Sequence, residues 1–179
     1  RRLVGSEMCI RDSFRAQLVL TEQKQLFDYW CTKQASDQLP NRNQICPTEI
    51  SGLLSNVSLI DIERDPFRFK FRLAGTRLRE VYDREVTGLE LSECGPDFNQ
   101  DYWTRTYVHI SETGKPAQGV IRGPCADKEH LVQFWLRLPL ATLDNCPAML
   151  LCHDAIVPAE QMPGVSDIEV IAGQRAIAV

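Results

Sequence analysis

Three residues with the functional groups of a nucleophilic triad, Cys152, His153 and Asp154, follow one another near the end of the chain. A catalytic thiol needs a base within hydrogen-bonding reach. Residues 149–157 are predicted to form a β-strand, in which neighbouring side chains point to opposite faces. Cys152 and Asp154 then share one face while His153 takes the other. We therefore predict a buried cysteine beside two polar groups at a sheet edge, and no catalytic residues.

Histidine and cysteine also serve as haem and metal ligands, and the sequence favours neither role. His109 lies on the longest predicted helix, about 100° around its axis from the apolar stripe of Trp103, Tyr107 and Ile110. That angle places His109 on the flank of the helix. The 7 cysteines contain no CxxC pair, so a structural zinc site lacks support. We predict no metal site and leave the cofactor unassigned.

Charge and hydropathy exclude two classes of partner. The formal net charge is −4, and the basic residues are dispersed among acids, whereas nucleic-acid binding needs clustered Lys and Arg. No apolar run approaches the roughly 18 residues of a membrane span. We predict a cytoplasmic protein with free thiols that binds neither nucleic acid nor membranes.

The clearest local pattern is in residues 67–73, where apolar side chains alternate with Arg68, Lys70 and Arg72. Period two predicts a strand with one buried face and one solvated cationic face, part of which the N-terminal helix would cover. Residues 59–62 are predicted to be its hairpin partner. Further strands are predicted in the last third of the chain, at residues 118–122, 132–140 and 149–157.

Helices are predicted before and between these strands. The first spans residues 21–35, with Thr21 as its N-cap. A short helix capped by Thr48 follows, another begins at residue 76, and the longest runs from residue 96 to Gly114. The order predicts an α+β fold, a five-stranded antiparallel sheet covered by helices, with an N-terminal amphipathic helix.

The ends of the chain are predicted to differ from its middle. Residues 4–13 resemble translated sequencing-adapter DNA, so we expect an extraneous or disordered start. The predicted division is an extraneous segment at 1–13, the N-terminal helix and linker at 14–40, the main domain at 41–157 and a tail at 158–179.

Several short motifs resemble a family of single-domain bacterial PAS proteins, the one numbered five among PAS profiles and common in alphaproteobacteria. The resemblance covers residues 26–157 and is most specific in the run Arg-Leu-Ala-Gly-Thr that ends at Thr76. The matching positions are Tyr29-Trp30, Leu39-Pro40, Arg42, Pro47, Leu54, residues 59–62, residues 69–76, Thr87-Gly88 and residues 138–140.

This resemblance implies a sensory domain that binds a small ligand between sheet and helices, dimerises and signals to a protein partner. The residues predicted to form one core and to line the ligand pocket are Phe69, Phe71, Trp103, Tyr107, Ile110, Phe134 and Leu136. A small-ligand carrier or enzyme on the same fold is the alternative, and it would require a buried titratable pair in the pocket.

The N-terminal helix carries more apolar surface than a peripheral segment normally exposes, in Leu26, Phe27 and Trp30. The helix could lie on its own sheet or pair with a second subunit across a two-fold axis. We predict a homodimer with these three residues at its interface, since aromatic anchors carry much of the energy of an interface.

Overall fold

The structure is a computed structural model that describes residues 3–125, 127–161 and 177–178. Its centre is an antiparallel sheet with the strand order β2-β1-β5-β4-β3-β6, in which β6 has only two residues. The strands are β1 Val57–Glu63, β2 Arg68–Leu73, β3 Ala117–Arg122, β4 Leu131–Ala141, β5 Pro147–Pro158 and β6 Ile177–Ala178. The predicted five-stranded antiparallel α+β fold is confirmed.

In the described part of the chain, four α-helices accompany the sheet: α1 Leu3–Gln17, α2 Thr21–Lys33, α3 Thr76–Tyr82 and α4 Gln100–Thr113. Short 3₁₀ helices complete the connections, at Arg42–Gln44, Pro47–Asn56, Leu91–Glu93, Pro96–Phe98 and Ala159–Gln161. Within the described residues, no helix has the length and apolar character that crossing a membrane requires.

The β1–β2 hairpin follows the predicted alternation. Phe69 and Phe71 are 3% and 2% exposed, whereas the cations between and beside them face solvent. Arg68 pairs with Glu63 at 2.7 Å and Arg72 with Asp61 at 2.9 Å, both across the hairpin. The cationic face of β2 is therefore solvated, and its two arginines are ion-paired.

Helix ends differ in detail from the prediction. The N-cap of α2 is Leu20, without a side-chain hydrogen bond, and Thr21 is already its first residue. Cys46, not Thr48, precedes the 3₁₀ helix Pro47–Asn56. At the end of α4, Gly114 adopts φ +65° and its N–H bonds to Ile110 O, as the left-handed C-cap of a helix requires.

Layers of helix cover both faces of the sheet. One face of the sheet, called here the α4 face, packs against α3, α4 and the residues between them. Its core includes Ile60, Phe69, Phe71 and Leu150. The opposite face of the sheet, called the α2 face, packs against α1, α2 and the 3₁₀ helix Pro47–Asn56. Because β4 lies between two covered faces, all its residues from 132 to 141 are buried.

The double burial of β4 corrects the predicted core. Leu136 belongs to the α2 face, and Phe134 packs with Val132, Leu20 and Val157, apart from the core around α4. The prediction that Phe134 and Leu136 face α4 is therefore wrong. Alternation separated the two faces of β4 correctly, but the apolar set was assigned to the wrong helix layer.

The three residues predicted for the dimer interface are buried within their own chain. Leu26, Phe27 and Trp30 are 0%, 2% and 2% exposed against the α2 face. The indole N–H of Trp30 donates to Pro139 O at 2.9 Å. Helix α2 is thus a lid on its own sheet, and these side chains are not available to a second subunit in this packing.

The ends of the chain have separate outcomes. In α1, Met8 and Ile10 are 58% and 50% exposed, whereas Phe14 is buried against the α2 face. The predicted extraneous origin of residues 1–13 and the domain boundaries stay predictions. Most of the predicted tail at 158–179 lies outside the described residues.

Candidate ligand site

The side chains of β4 and β5 that face α4 include three polar groups in the middle of the sheet. Gln133, Arg137 and Asp154 are 0%, 3% and 0% exposed. Because β4 and β5 pair Trp135 with Asp154, the polar side chains on either side of Trp135 both reach the same carboxylate. Arg137 Nη2 donates to Asp154 Oδ1 at 2.9 Å, and Gln133 Nε2 donates to it at 2.7 Å.

The guanidinium of Arg137 is held from several sides. Its Nε donates to the Tyr107 hydroxyl at 3.2 Å, and its Nη1 donates to the backbone oxygens of Leu136 at 3.0 Å and His153 at 3.4 Å. Its central carbon lies 4.6 Å from the ring centroid of Trp103 and 5.7 Å from that of Trp135. An ion pair and an aromatic enclosure thus fix one cation inside the domain.

Burial and charge act in opposite directions on the Arg137 pKa. Burial is the largest single effect and lowers the pKa, but the Asp154 carboxylate together with Tyr107 and Cys152 raises it by more, so the pKa of Arg137 lies well above its ordinary value. Burial likewise raises the pKa of Tyr107 well above its usual range. Both groups keep their protons at any physiological pH.

Several buried polar atoms beside this guanidinium remain unpartnered among the described residues, and Gln133 Oε1 and Trp135 Nε1 are two of them. Among the residues that the structure describes, neither Asp154 Oδ2 nor Trp103 Nε1 has a hydrogen-bond partner. One is an acceptor and the other a donor, and both belong to side chains that contact Arg137. Buried polar atoms are nearly always bonded, so these two have capacity for a molecule with both donor and acceptor groups.

A close contact between β3 and β4 fixes the aromatic wall. Gly119 pairs with Trp135, and a Cβ at Gly119 would lie 2.5 Å from Trp135 Cζ2 and 2.7 Å from its Nε1. Only glycine therefore lets the indole lie flat against β3. Trp135 also packs edge-on to Trp103, with ring centroids 5.4 Å apart.

A pocket of about 430 Å³ opens beside the cluster, between the end of α3 and the β3–β4 connection. Tyr82, Cys94 and Cys125 are among its lining residues. Burial, reinforced by the charge of Asp154, raises the pKa of Tyr82 well above its usual range. Tyr82 thus stands between the pocket and the buried polar groups.

The three adjacent residues Cys152, His153 and Asp154 point to alternate faces of β5, as predicted. Cys152 lies in the α4-face core, and burial raises its thiol pKa to about 12. His153 is 2% exposed and Asp154 0%, so neither is the predicted edge group, since β5 is a central strand. Burial lowers the pKa of His153, although the negative charges of Asp154 and Glu22 act to raise it. His109 is exposed on the flank of α4, as predicted.

Five of the seven predicted pocket residues come together on the α4 face: Phe69, Phe71, Trp103, Tyr107 and Ile110. Sequence reasoning missed the polar centre of this face, Arg137 with Asp154 and Gln133. Trp135 was the available signal, because a tryptophan between Gln133 and Arg137 is unexpected on a solvated face.

Comparison with known proteins gives one match, which covers most of the site just described and ends two residues before Asp154. A family model for the PAS domain matches residues 20–152, which is most of the chain and includes every strand from β1 to β4. No curated protein matches the sequence.

Proposed function

Since the chain belongs to the PAS domain family, whose members are in general sensory and signalling modules, we propose that it binds a small polar ligand on the α4 face. The observation that carries this proposal is the buried Arg137–Asp154 pair with Asp154 Oδ2 and Trp103 Nε1 unpartnered. A ligand with one donor and one acceptor group would satisfy both atoms. The pocket lined by Tyr82 is the proposed entrance.

Stability alone is a poor explanation for this pair. Removing two charges from water costs several kcal/mol per ion in real proteins, and apolar replacements of buried pairs are often neutral or stabilising. The pair lies beside a core of aromatic and aliphatic side chains, where apolar side chains would pack well. A function in recognition accounts for charges in that position.

The structure contains the buried ionisable pair that the carrier or enzyme alternative requires, so that alternative stays open as a carrier. Acid–base chemistry is less well supported. Arg137 and Tyr107 hold their protons, the Cys152 thiol has a pKa of about 12, and His153 faces the other side of the sheet. None of these groups suits proton transfer at neutral pH on the α4 face.

Native mass spectrometry of the purified protein tests the proposal. We expect a bound small molecule that is released on denaturation and is lost in Asp154→Asn, which removes the acceptor charge and keeps the side-chain shape. Asp61→Asn, in the solvated hairpin pair, is the matched control and should retain the molecule. Equal occupancy in both variants, or no bound molecule in the wild type, would contradict the proposal.

For signal output, we propose that ligand binding changes how α2 is held on the sheet. Arg137 donates a hydrogen bond to Leu136 O on β4. Helix α2 donates two hydrogen bonds to the same strand, from Gln23 Nε2 to Phe134 O at 3.1 Å and from Trp30 Nε1 to Pro139 O at 2.9 Å. A shift of β4 at Arg137 would therefore alter the hydrogen bonds and packing that hold α2 on the sheet. Slower amide exchange in α2 with ligand bound, and no such change in Asp154→Asn, is the expected result.

The homodimer and the signalling protein partner also belong to this proposal. If the chain dimerises, its contact uses surface other than Leu26, Phe27 and Trp30, which their own sheet covers. Sedimentation velocity at high micromolar concentration measures the association directly. A monomer at that concentration would contradict the dimer and leave the ligand proposal intact.

A further inference from the structure

A second cavity lies on the α2 face, on the opposite side of the sheet from Arg137. This groove has a volume of about 480 Å³, within the usual range for small-molecule sites. Its lining comes from the 3₁₀ helix Pro47–Asn56, from β1, and from the connection between β2 and α3. Nothing in the polar cluster around Arg137 contributes to it.

The groove is apolar at its base and at its rim. Val57 and Leu59 are buried beneath it, at 3% and 5% exposure. Leu54 and Leu73 also line it, but they are 39% and 48% exposed. Two partly solvated leucines above a buried aliphatic base leave apolar surface that a hydrocarbon chain would cover.

Backbone contacts keep the groove open. Gly75 lies so close to the end of the 3₁₀ helix that a Cβ would be 2.5 Å from Ser55 O and 2.7 Å from Val57 O. Gly75 N–H donates to Ser58 Oγ at 3.2 Å, which fixes the β2–α3 connection to β1. Two walls joined by backbone packing form a preformed cleft, which lowers the ordering cost of binding.

One charged side chain, Arg42, is among the described residues that line the groove. Its Nη1 donates to Ile45 O at 3.1 Å, which orients the guanidinium. No carboxylate in the described part of the chain forms an ion pair with Arg42, so its other N–H groups can receive an anion. A guanidinium fork matches a carboxylate in geometry as well as in charge.

We propose that this groove binds an amphipathic carboxylate of the medium-chain fatty acid class. The hydrocarbon chain packs on Leu54, Val57, Leu59 and Leu73, and the carboxylate pairs with Arg42. The site is separate from the polar site on the α4 face, so the two proposals fail or hold independently.

Titration with decanoate, followed by amide chemical shifts in the two-dimensional NMR spectrum, tests the site. We expect saturable shifts around Leu54, Leu73 and Gly75, with acetate giving none because it lacks the chain. Arg42→Gln should weaken decanoate binding about tenfold or more, the usual scale for a charge-assisted hydrogen bond. Arg42→Lys should retain much of it, and 1-decanol should bind equally well to wild type and Arg42→Gln.

Leu54→Asp places a negative charge in the groove, which repels the carboxylate of decanoate, and should abolish decanoate binding. Leu143→Asp, at a leucine that is 100% exposed in the β4–β5 turn, is the matched control and should bind as the wild type does. Circular dichroism checks that each variant is folded. Wild-type binding by Arg42→Gln, or binding of acetate at the same residues, would overturn the proposal. So would an oligomer that Leu54→Asp dissociates, since a second copy would then fill the groove.

Discussion

Arg137→Met is the substitution that most directly tests the buried polar cluster. It keeps an unbranched, though shorter, apolar side chain and removes the cation that pairs with Asp154 at 2.9 Å. The two side chains are 3% and 1% exposed, so water cannot replace the lost partner. Removing one member of such a pair typically costs about 3–5 kcal/mol, because the other charge stays buried and uncompensated.

For a chain of this size, each kcal/mol lowers the midpoint of thermal unfolding by roughly 2–4 °C. The expected decrease for Arg137→Met is therefore about 6–20 °C. Arg72→Met is the control, since its pair with Asp61 is solvated, with side-chain exposures of 59% and 26%. A surface pair of that kind contributes below about 1 kcal/mol.

Urea unfolding followed by tryptophan fluorescence and circular dichroism measures both variants. The double variant Arg137→Met with Asp154→Leu removes both charges and should be more stable than Arg137→Met alone. A loss below about 1 kcal/mol for Arg137→Met would refute the reasoning, because exposed substitutions fall in that range. A double variant as unstable as the sum of the single ones would refute the coupling.

Three more predictions follow from individual contacts. Gly119→Ala puts a Cβ 2.5 Å from Trp135 and should lower stability to urea by about 1–3 kcal/mol, whereas an unchanged midpoint would mean that the indole can move aside. Because the folded-state pKa of His153 lies below its unfolded value near 6.5, the unfolded state takes up the proton first, and stability should fall as pH decreases through and below about 6.5. His153→Gln should flatten that pH profile, and an identical slope would contradict the assignment. At neutral pH, iodoacetamide should alkylate Cys46 well before Cys152, because Cys46 is exposed and its hydrogen bond to Thr48 lowers its pKa, whereas Cys152 is buried and its pKa is about 12. Mass spectrometry of peptides gives the order of labelling. Early labelling of Cys152 would show that the core opens.

The sequence predicts the strands of this fold well where only one face of a strand is buried. In β2, the cations alternate with Phe69 and Phe71, and the period-two pattern gives the correct orientation. In β4 the same pattern distinguishes two sets of side chains but cannot say which helices cover which set. Both sets are buried, so composition no longer marks the side that faces solvent.

The candidate site could not be predicted for a related reason. Arg137 and Asp154 are 17 positions apart, and only the register that pairs Trp135 with Asp154 brings their side chains together. Alternation within a single strand carries no information about that register. In α2, by contrast, the apolar spacing of Leu26, Phe27 and Trp30 was recognised, but whether it covers its own sheet or a second subunit depends on tertiary packing alone.

The proposed connection between a buried ligand and an outer helix depends on the position of the ion pair. On β4, Arg137 faces α4, while its neighbour Leu136 packs under α2. Arg137 Nη1 also bonds to the backbone oxygen of Leu136, so the cation holds the strand itself as well as Asp154. A core of apolar side chains could slide past a ligand without moving the backbone. A charge bonded to both its counterion and the strand cannot, since each displacement breaks a buried hydrogen bond. The polar cluster is therefore the element of the α4 face best suited to transmit binding of the proposed ligand to α2.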